Sequence, residues 1–206
     1  MQGIALIFQL IILLFSVTIH EVSHGAMAYK LGDPTAKDSG RLSLNPLKHL
    51  DLFGSFLLPL FLFLVSKGSF VFGWAKPVPF NPLLLRKPKR DIGLVAFAGP
   101  AANLSLAIIF GLLLRFFSSF FNPFLNVFFA WIVATNLLLA VFNLVPIPPL
   151  DGSKILFSFA PSSWLPFLKF LEVYGWLILL FFLFFGVQFI FPIVSFFFHF
   201  LTGLSF

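Results

Sequence analysis

Residues 20–24 read His-Glu-Val-Ser-His, with two histidines four positions apart and a carboxylate beside the first. Residues four apart on a helix lie on one face, so His20 and His24 can bind a single metal ion through their imidazole nitrogens. Glu21 is the next residue along and can reach a water molecule bound to that ion. The pattern therefore predicts hydrolytic chemistry, with two metal-ligating histidines and Glu21 as the general base.

The sequence around this motif is apolar. Residues 4–19 carry no charge, and between Met1 and Lys30 the motif holds all of the acidic and histidine side chains. An ionised carboxylate within lipid-spanning sequence is costly, so its presence indicates a functional site. The alternative interpretation is a pair of core histidines beside a buried acid. Three ionisable groups within one turn of an apolar helix disfavour it.

The composition is that of a membrane protein. Of the 206 residues, 60% are hydrophobic and 10% are charged, which is more apolar surface than a soluble domain of this size can bury. Cysteine is absent, so disulfides are excluded and a metal site must use histidine, carboxylate or water ligands. The net charge of +6 could suggest nucleic-acid binding, but the basic residues cluster beside apolar segments, as in the cytoplasmic loops of membrane proteins.

The chain contains five apolar stretches, at residues 4–29, 52–66, 92–119, 124–147 and 168–203. A bilayer-spanning helix needs about 20 apolar residues, which the first, third and fourth stretches provide. The fifth, interrupted by Pro192, is long enough for one span and a short return or interfacial tail. The second contains Pro59 and is short for a span. These lengths predict an all-α polytopic membrane protein with about four full transmembrane helices.

Two histidines do not complete a zinc site, because catalytic zinc usually has three protein ligands and a water molecule. The best third candidate is Asp151, near the end of the segment Asn143-Leu-Val-Pro-Ile-Pro-Pro-Leu-Asp-Gly152. Its prolines would end the preceding helix, and an unwound segment that lines an enclosed or watery cavity can turn a ligand inward. The alternative role for Asp151 is as an N-cap of the segment that follows.

The three candidate ligands can meet at one depth only if the first and fourth apolar stretches run in the same direction. One of the two intervening stretches then cannot cross the bilayer. We expect the short stretch 52–66 to be a re-entrant or interfacial segment. The turn signal Asp38-Ser39-Gly40 lies between two partly alternating runs, which predicts a small membrane-associated β-hairpin at residues 35–45.

The distribution of basic residues predicts the orientation. Segments 30–51 and 67–91, with Lys154 and Lys169, hold nearly all the lysines and arginines, which places them on the cytoplasmic side. Arg115 alone falls towards the opposite face. The expected location is the cell (inner or plasma) membrane, as a multi-pass protein whose active site lies nearer the cytoplasmic side.

Five motifs occur in an order that matches a known family, and together they span residues 20–152, about two-thirds of the chain. They are His20-Glu-Val-Ser-His24, Asn45-Pro-Leu-Lys-His49, Gly73-Trp-Ala-Lys-Pro-Val-Pro79, Gly99-Pro-Ala-Ala-Asn103 and Asn143 to Gly152. The chain resembles the site-2 protease family of intramembrane zinc metalloproteases, and in particular its compact bacterial and archaeal members without PDZ or CBS domains. Ser153-Lys154 departs from the pattern, because many relatives have a second glycine there.

The resemblance implies one zinc ion per chain, held by His20, His24 and Asp151, with Glu21 as the general base. It also implies that Asn103 lines the cleft, where it can contact the substrate backbone or the developing negative charge.

A similar but weaker substrate-binding role is predicted for Asn143. The implied activity is endopeptidase cleavage of transmembrane substrates within the lipid bilayer, as in regulated intramembrane proteolysis. The predicted organisation is a single integral-membrane peptidase domain over residues 1–206. Its catalytic core covers about 1–155, and a helical C-terminal region covers 156–206.

Two other function classes remain open on the sequence. A metal transporter also places ionisable groups within the membrane, although it needs a path to both faces. A catalytically silent scaffold that binds membrane helices is the second alternative. A base at position 21 is required by the protease hypothesis and by neither alternative.

Overall fold

The computed structural model describes residues 2–57, 61, 64–65 and 76–205, and this part of the chain is helical with no strands. The α-helices are α1 (Gln2–Lys30), α2 (Thr35–Asp38), α3 (Pro88–Phe117), α4 (Pro123–Asn143), α5 (Asp151–Phe159), α6 (Leu165–Phe181) and α7 (Ile190–Thr202). Single turns of 3-10 or π geometry lie between them, at Pro46–His49, Leu52–Leu57, Pro82–Leu84, Ser118–Phe120, Ser162–Trp164, Phe182–Gly186 and Val187–Phe189.

Four helical segments in the described residues are long and apolar enough to cross a membrane. They are Ile4–Lys30, Pro88–Phe120, Pro123–Asn143 and Ser162–Thr202. The last contains α6 and α7, which the π and 3-10 turns join without a break in the helical path. The predicted all-α fold with four spans is thereby confirmed, and the chain is a multi-pass membrane protein.

Helices α1 and α4 run in the same direction, as the predicted ligand set requires. The ring of Phe8 packs edge-on against Phe124 at 5.5 Å, near the start of both helices. Further along, the Ser16 hydroxyl accepts a hydrogen bond from the Asn136 side chain at 2.9 Å. Later residues of α1 therefore contact later residues of α4, which shows that the two helices are parallel. Both helices end at the same end of the bundle, here called the site end.

Helix α3 runs antiparallel between them and packs against α1, α4, α5 and α7. One buried stripe of mainly small residues makes this close packing possible, because small side chains let helix backbones approach within a membrane. The stripe consists of Gly93, Ala96, Gly99, Asn103, Ala107 and Gly111.

The chain between α1 and α3 begins and returns at the site end. The Arg86 amide donates to the carbonyl of Leu31 at 3.3 Å, and the Lys76 amide donates to the carbonyl of His49 at 2.8 Å. The buried carboxylate of Asp33 accepts from the Asn81 amide at 2.6 Å. Burial alone would raise the pKa of Asp33, but hydrogen bonds from Thr35 and Asn81 hold it below its ordinary value.

The predicted β-hairpin at 35–45 is wrong. Residues 35–38 form the one-turn helix α2, residues 39–40 form a turn, and residues 41–45 are extended without a partner strand among the described residues. The reason is local, since Asp33 accepts hydrogen bonds from both the backbone and side chain of Thr35. Those bonds favour a helical turn after Pro34 over a strand.

The prediction of a re-entrant or interfacial segment at 52–66 falls partly outside the described residues, because 58–60, 62–63 and 66 are not described. Within that range, the structure shows a π turn at Leu52–Leu57 and helical backbone at 61 and 64–65. The prediction gains no support from these positions. The contact between His49 and Lys76 does show that the chain returns to the place it left.

The core away from the site lies between α3, α4 and α7, where the helices bury apolar side chains against one another. Its fully buried members are Ala107, Leu114, Val133, Leu137, Ile190, Val194 and Phe198. Helix α6 is different, because most of its side chains are exposed to the surroundings. It buries one narrow stripe, and its Gly175 lies against Pro148 in the segment that precedes α5.

Candidate metal centre

Helix α1 and the start of α5 bring three candidate ligands together beside α3. Helix α1 presents His20 and His24 one turn apart, with ring centroids separated by 4.6 Å. Asp151 is the first residue of α5, and its Oδ2 lies 3.1 Å from the Nε2 atom of each histidine. The three ligand atoms lie within 4.8 Å of one another. His20 and Asp151 are buried, and His24 is nearly so.

The site lies below the end of the helix that carries it. His20 precedes Lys30 by ten residues, which corresponds to about 15 Å along an α-helix. The site is therefore within the span and close to the site end of the bundle.

The other ring nitrogens show which atoms are free to bind a metal. Nδ1 of His24 lies 2.7 Å from the carbonyl oxygen of Val95, which can only accept, so neutral His24 carries its hydrogen on Nδ1. Its Nε2 lone pair then faces the Asp151 carboxylate, and two acceptors at 3.1 Å repel each other unless a proton or a metal ion lies between them. Imidazole and carboxylate are ligands that zinc accepts, so the residues present fit a zinc ion.

Two glycines make the required space. A Cβ atom at Gly99 would lie 2.6 Å from His20 Nε2 and 2.5 Å from His24 Nε2, so a side chain there would fill the region where the ligand atoms converge. A Cβ atom at Gly152 would collide with the backbone of residues 144–145. The tight approach of that backbone holds the beginning of α5, and with it Asp151, against the histidines.

Glu21 lies on the same turn and interacts with a different part of the chain. Its Oε2 accepts a hydrogen bond from the backbone amide of Val78 at 2.8 Å. Val78 is buried, and a Cβ atom on Gly25 would lie only 2.8 Å from its Cγ1. Segment 76–80, which has no regular secondary structure, therefore lies beside both the carboxylate and helix α1.

The predicted substrate-binding residues lie in different surroundings. Asn103 is fully buried, and its Oδ1 lies 2.6 Å from Nδ1 of His20, on the side of the ring away from Asp151. Asn143 is partly exposed near the end of α4, and its side-chain amide donates to the carbonyl of Leu139 at 2.9 Å. Substrate binding by either asparagine stays a prediction.

Sequence analysis missed Asn136 and Ser16, which connect to Asn103 inside the bundle. Both are buried polar side chains within apolar helices. A polar residue in a lipid-spanning helix usually bonds across to a neighbouring helix, and this signal could have identified them.

The remaining histidines are not part of the cluster. His49 is buried and its Nε2 contacts the carbonyl of Ser43 at 2.8 Å, while His199 Nδ1 contacts the carbonyl of Leu204 at 3.1 Å. Over the ranges that the structure describes, the one group of side chains able to hold a metal ion is formed by His20, His24 and Asp151.

A bundle of apolar helices with a buried histidine and carboxylate centre defines the class of membrane-embedded metalloproteins. Within that class, the chain matches the family model of peptidase family M50 over residues 118–185, a range that includes Asp151. The chain is also 41% identical over 180 residues to "Putative zinc metalloprotease YwhC" of Bacillus subtilis (strain 168), and the match covers 84% of this chain and 78% of YwhC.

Two relatives with the same descriptive name match over shorter lengths. Rip2 of Mycolicibacterium smegmatis is 35% identical over 145 residues, which is 68% of this chain and 52% of Rip2. MJ0611 of Methanocaldococcus jannaschii is 38% identical over 76 residues, which is 37% of this chain and 36% of that protein. No solved structure gives a significant match.

This chain belongs to peptidase family M50, the site-2 protease family of zinc metalloproteases. The resemblance seen in the sequence motifs is confirmed. The enzyme class is that of a zinc metalloprotease embedded in a membrane, and its substrates are peptides.

Proposed function

We propose that the protein is an intramembrane endopeptidase that hydrolyses peptide bonds of transmembrane substrates, with one zinc ion per chain. The observation that carries the proposal is the convergence of two imidazole nitrogens and one carboxylate oxygen within 4.8 Å, inside a bundle of membrane-spanning helices. His20, His24 and Asp151 are the ligands in this proposal.

Zinc, when bound, lowers the pKa of a coordinated water to about 7 and polarises the carbonyl of the bond to be cleaved. The protein supplies the general base and the side chains that hold the metal ion in place. Glu21 takes the proton of the attacking water and passes it to the leaving amine. The amide of Val78 supports this role, because its hydrogen bond of 2.8 Å to Oε2 fixes the direction of the Glu21 carboxylate.

Transmembrane substrates are the third part of the proposal. The site lies below the end of the spans, so a peptide bond that reaches it must itself enter the bilayer. The backbone of a transmembrane helix is fully hydrogen-bonded, and the substrate must therefore unwind locally before cleavage. Regulated intramembrane proteolysis is the biological role that fits.

The charge distribution supports a cytoplasmic position for the site end. Eleven described basic residues lie at or beyond that end: Lys30, Lys37, Arg41, Lys48, Lys76, Arg86, Lys87, Lys89, Arg90, Lys154 and Lys169. Arg115 lies near the opposite end, where its guanidinium donates to the carbonyl of Phe200 at 2.6 Å. An excess of lysine and arginine marks cytoplasmic loops, so the active site lies nearer the cytoplasmic side of the cell membrane.

The decisive experiment combines metal analysis with cleavage of a model transmembrane peptide. Glu21→Gln should retain zinc and lose at least about 100-fold in cleavage rate, because a base contributes roughly that much. Asp151→Ala should lose both zinc and cleavage. A metal transporter has no need for a base at this position, so full activity of Glu21→Gln would refute the proposal.

A further inference from the structure

A chain of hydrogen bonds runs from the candidate metal centre into the interior of the bundle. Nδ1 of His20 lies 2.6 Å from Oδ1 of Asn103, and Nδ2 of Asn103 donates to Oδ1 of Asn136 at 2.7 Å. Nδ2 of Asn136 donates to the Ser16 hydroxyl at 2.9 Å. The chain links α1, α3 and α4, and all four side chains are buried.

The direction of every bond in this chain is fixed by backbone carbonyls. Nδ2 of Asn136 also lies 2.9 Å from the carbonyl of Ile132, and Nδ2 of Asn103 lies 3.3 Å from the carbonyl of Ser16. Carbonyl oxygens only accept, so both amide groups have one permitted orientation. Oδ1 of Asn103 then faces His20, and the ring must donate from Nδ1.

We propose that Asn103 and Asn136 are positioning residues that hold the hydrogen of His20 on Nδ1, so that its unprotonated Nε2 faces Asp151 as a metal ligand. This inference rests on the proposed zinc site and deepens it. The opposite tautomer would place a lone pair of the ring against Oδ1 of a fully buried amide, with no water available to relieve the repulsion.

Both histidines carry their hydrogen on Nδ1, but different acceptors hold it there. His24 donates to a backbone carbonyl of α3, which no substitution removes. The acceptor of His20 is a side chain, Asn103, which a substitution can remove, and the polar chain behind it crosses two further helices. The proposal therefore predicts that the metal site is sensitive to residues that never touch the metal, but only on the His20 side. Partners of this kind typically change metal affinity by about 10–100-fold.

The test compares isosteric variants of Asn103. Asn103→Leu removes the acceptor and should weaken zinc binding by about 10–100-fold, measured by competition with a chelator. Asn103→Asp keeps an oxygen towards His20 but loses the amide hydrogens that bond to Asn136 and Ser16, so it should weaken zinc binding less than Asn103→Leu does. Asn136→Leu should weaken binding by about tenfold, because Asn103 keeps one of its two acceptors.

Asn126→Leu is the matched control. Asn126 lies on α4, as Asn136 does, but bonds to the carbonyl of Ser118 at the other end of the bundle. Its substitution should leave zinc affinity at the wild-type value. A second readout is the ¹⁵N NMR spectrum of histidine in the metal-free protein in lipid. The His20 signals, assigned by their loss in His20→Gln, should show hydrogen on Nδ1 in wild type and a mixture of tautomers in Asn103→Leu.

The outcomes separate this inference from the proposed function. Wild-type zinc affinity and an unchanged His20 tautomer in folded Asn103→Leu would overturn the inference and leave the protease intact. Equal loss in Asn103→Leu and Asn103→Asp would also overturn it, because both keep the shape of the side chain. If wild type itself binds no zinc through His20, the proposed function fails first.

Discussion

Helix α3 and the C-terminal segment Ser162–Thr202 are both apolar enough to span a bilayer, but they are used in opposite ways. The apolar window of the first is 39% buried and that of the second is 17% buried. The buried face of α3 is made mainly of glycine and alanine with Asn103, while the C-terminal segment presents most of its phenylalanines outward. In a membrane, small and polar residues therefore mark the interior, and large apolar residues mark the lipid-facing surface.

The largest expected effect comes from Gly99 on α3. Gly99→Ala places a methyl group where the two Nε2 atoms converge, so zinc affinity should fall by at least about tenfold and peptide cleavage should fall with it. Metal analysis and the cleavage assay measure both.

Gly111→Ala is the control on the same helix. Its new methyl group would meet the Leu201 side chain on α7, far from the site, and should change stability without changing zinc binding. Equal zinc loss in the two variants would show that α3 tolerates no added volume anywhere and that Gly99 has no special relation to the ligands.

The second largest expected effect is the loss of stability when a buried core side chain is shortened. Leu137 on α4 is 1% exposed in the core, so Leu137→Ala leaves a cavity and should destabilise the protein by about 2 kcal/mol. Leu177 on α6 is 65% exposed, and Leu177→Ala should stay within about 0.5 kcal/mol of wild type. Unfolding in detergent or lipid compares the two. A larger loss of stability in Leu177→Ala than in Leu137→Ala would contradict the assignment of Leu137 to the core and Leu177 to the lipid-facing surface.

A smaller effect is expected at Asp33, which joins the segment around Asn81 to the end of α1. Its folded-state pKa is below the ordinary value of 3.8, so its stabilising contribution is present above pH 3.8 and is lost as the pH falls through the folded pKa. Asp33→Asn should lack this part of the acid dependence while other groups titrate as before. Identical stability curves for wild type and variant would contradict this assignment.

The smallest functional effect should come from single cysteines, which the chain otherwise lacks. Lys37→Cys at the site end and Ser119→Cys at the opposite end are both exposed and remote from the ligands. Each should retain wild-type cleavage. A membrane-impermeant thiol reagent should label them from opposite sides of sealed vesicles, and labelling from one side only would refute the four-span topology.

Much of the site could be predicted from the sequence, because a charged side chain in lipid is energetically costly. His20, His24 and Asp151 stand out in sequence because an apolar span carries such groups only for a reason, and the structure brings them together. Asn136 carries no charge and breaks no motif, so its connection to Asn103 became visible only when α3 and α4 were packed. The partner of His24 is a backbone carbonyl, which sequence cannot reveal.

The error at residues 35–45 has a different origin. The alternation and the turn at Asp38-Ser39-Gly40 describe a hairpin well, but a strand needs a partner at the right distance, and local patterns do not supply it. The hydrogen bonds from Thr35 to Asp33 involve near neighbours in sequence and need no partner strand. In this short polar connection, local side-chain hydrogen bonds determine the backbone conformation more than the alternation of apolar and polar residues does.

The hydrogen bond between the amide of Lys76 and the carbonyl of His49 has a consequence for the stretch between them. Because His49 and Lys76 are in contact, the two ends of the intervening stretch, residues 50–75, meet at one point of the framework. Lengthening such a loop costs little, about 0.6 kcal/mol for each doubling. A change in the length of this stretch is therefore expected to leave the contact between His49 and Lys76, and the helices that carry the metal ligands, in place.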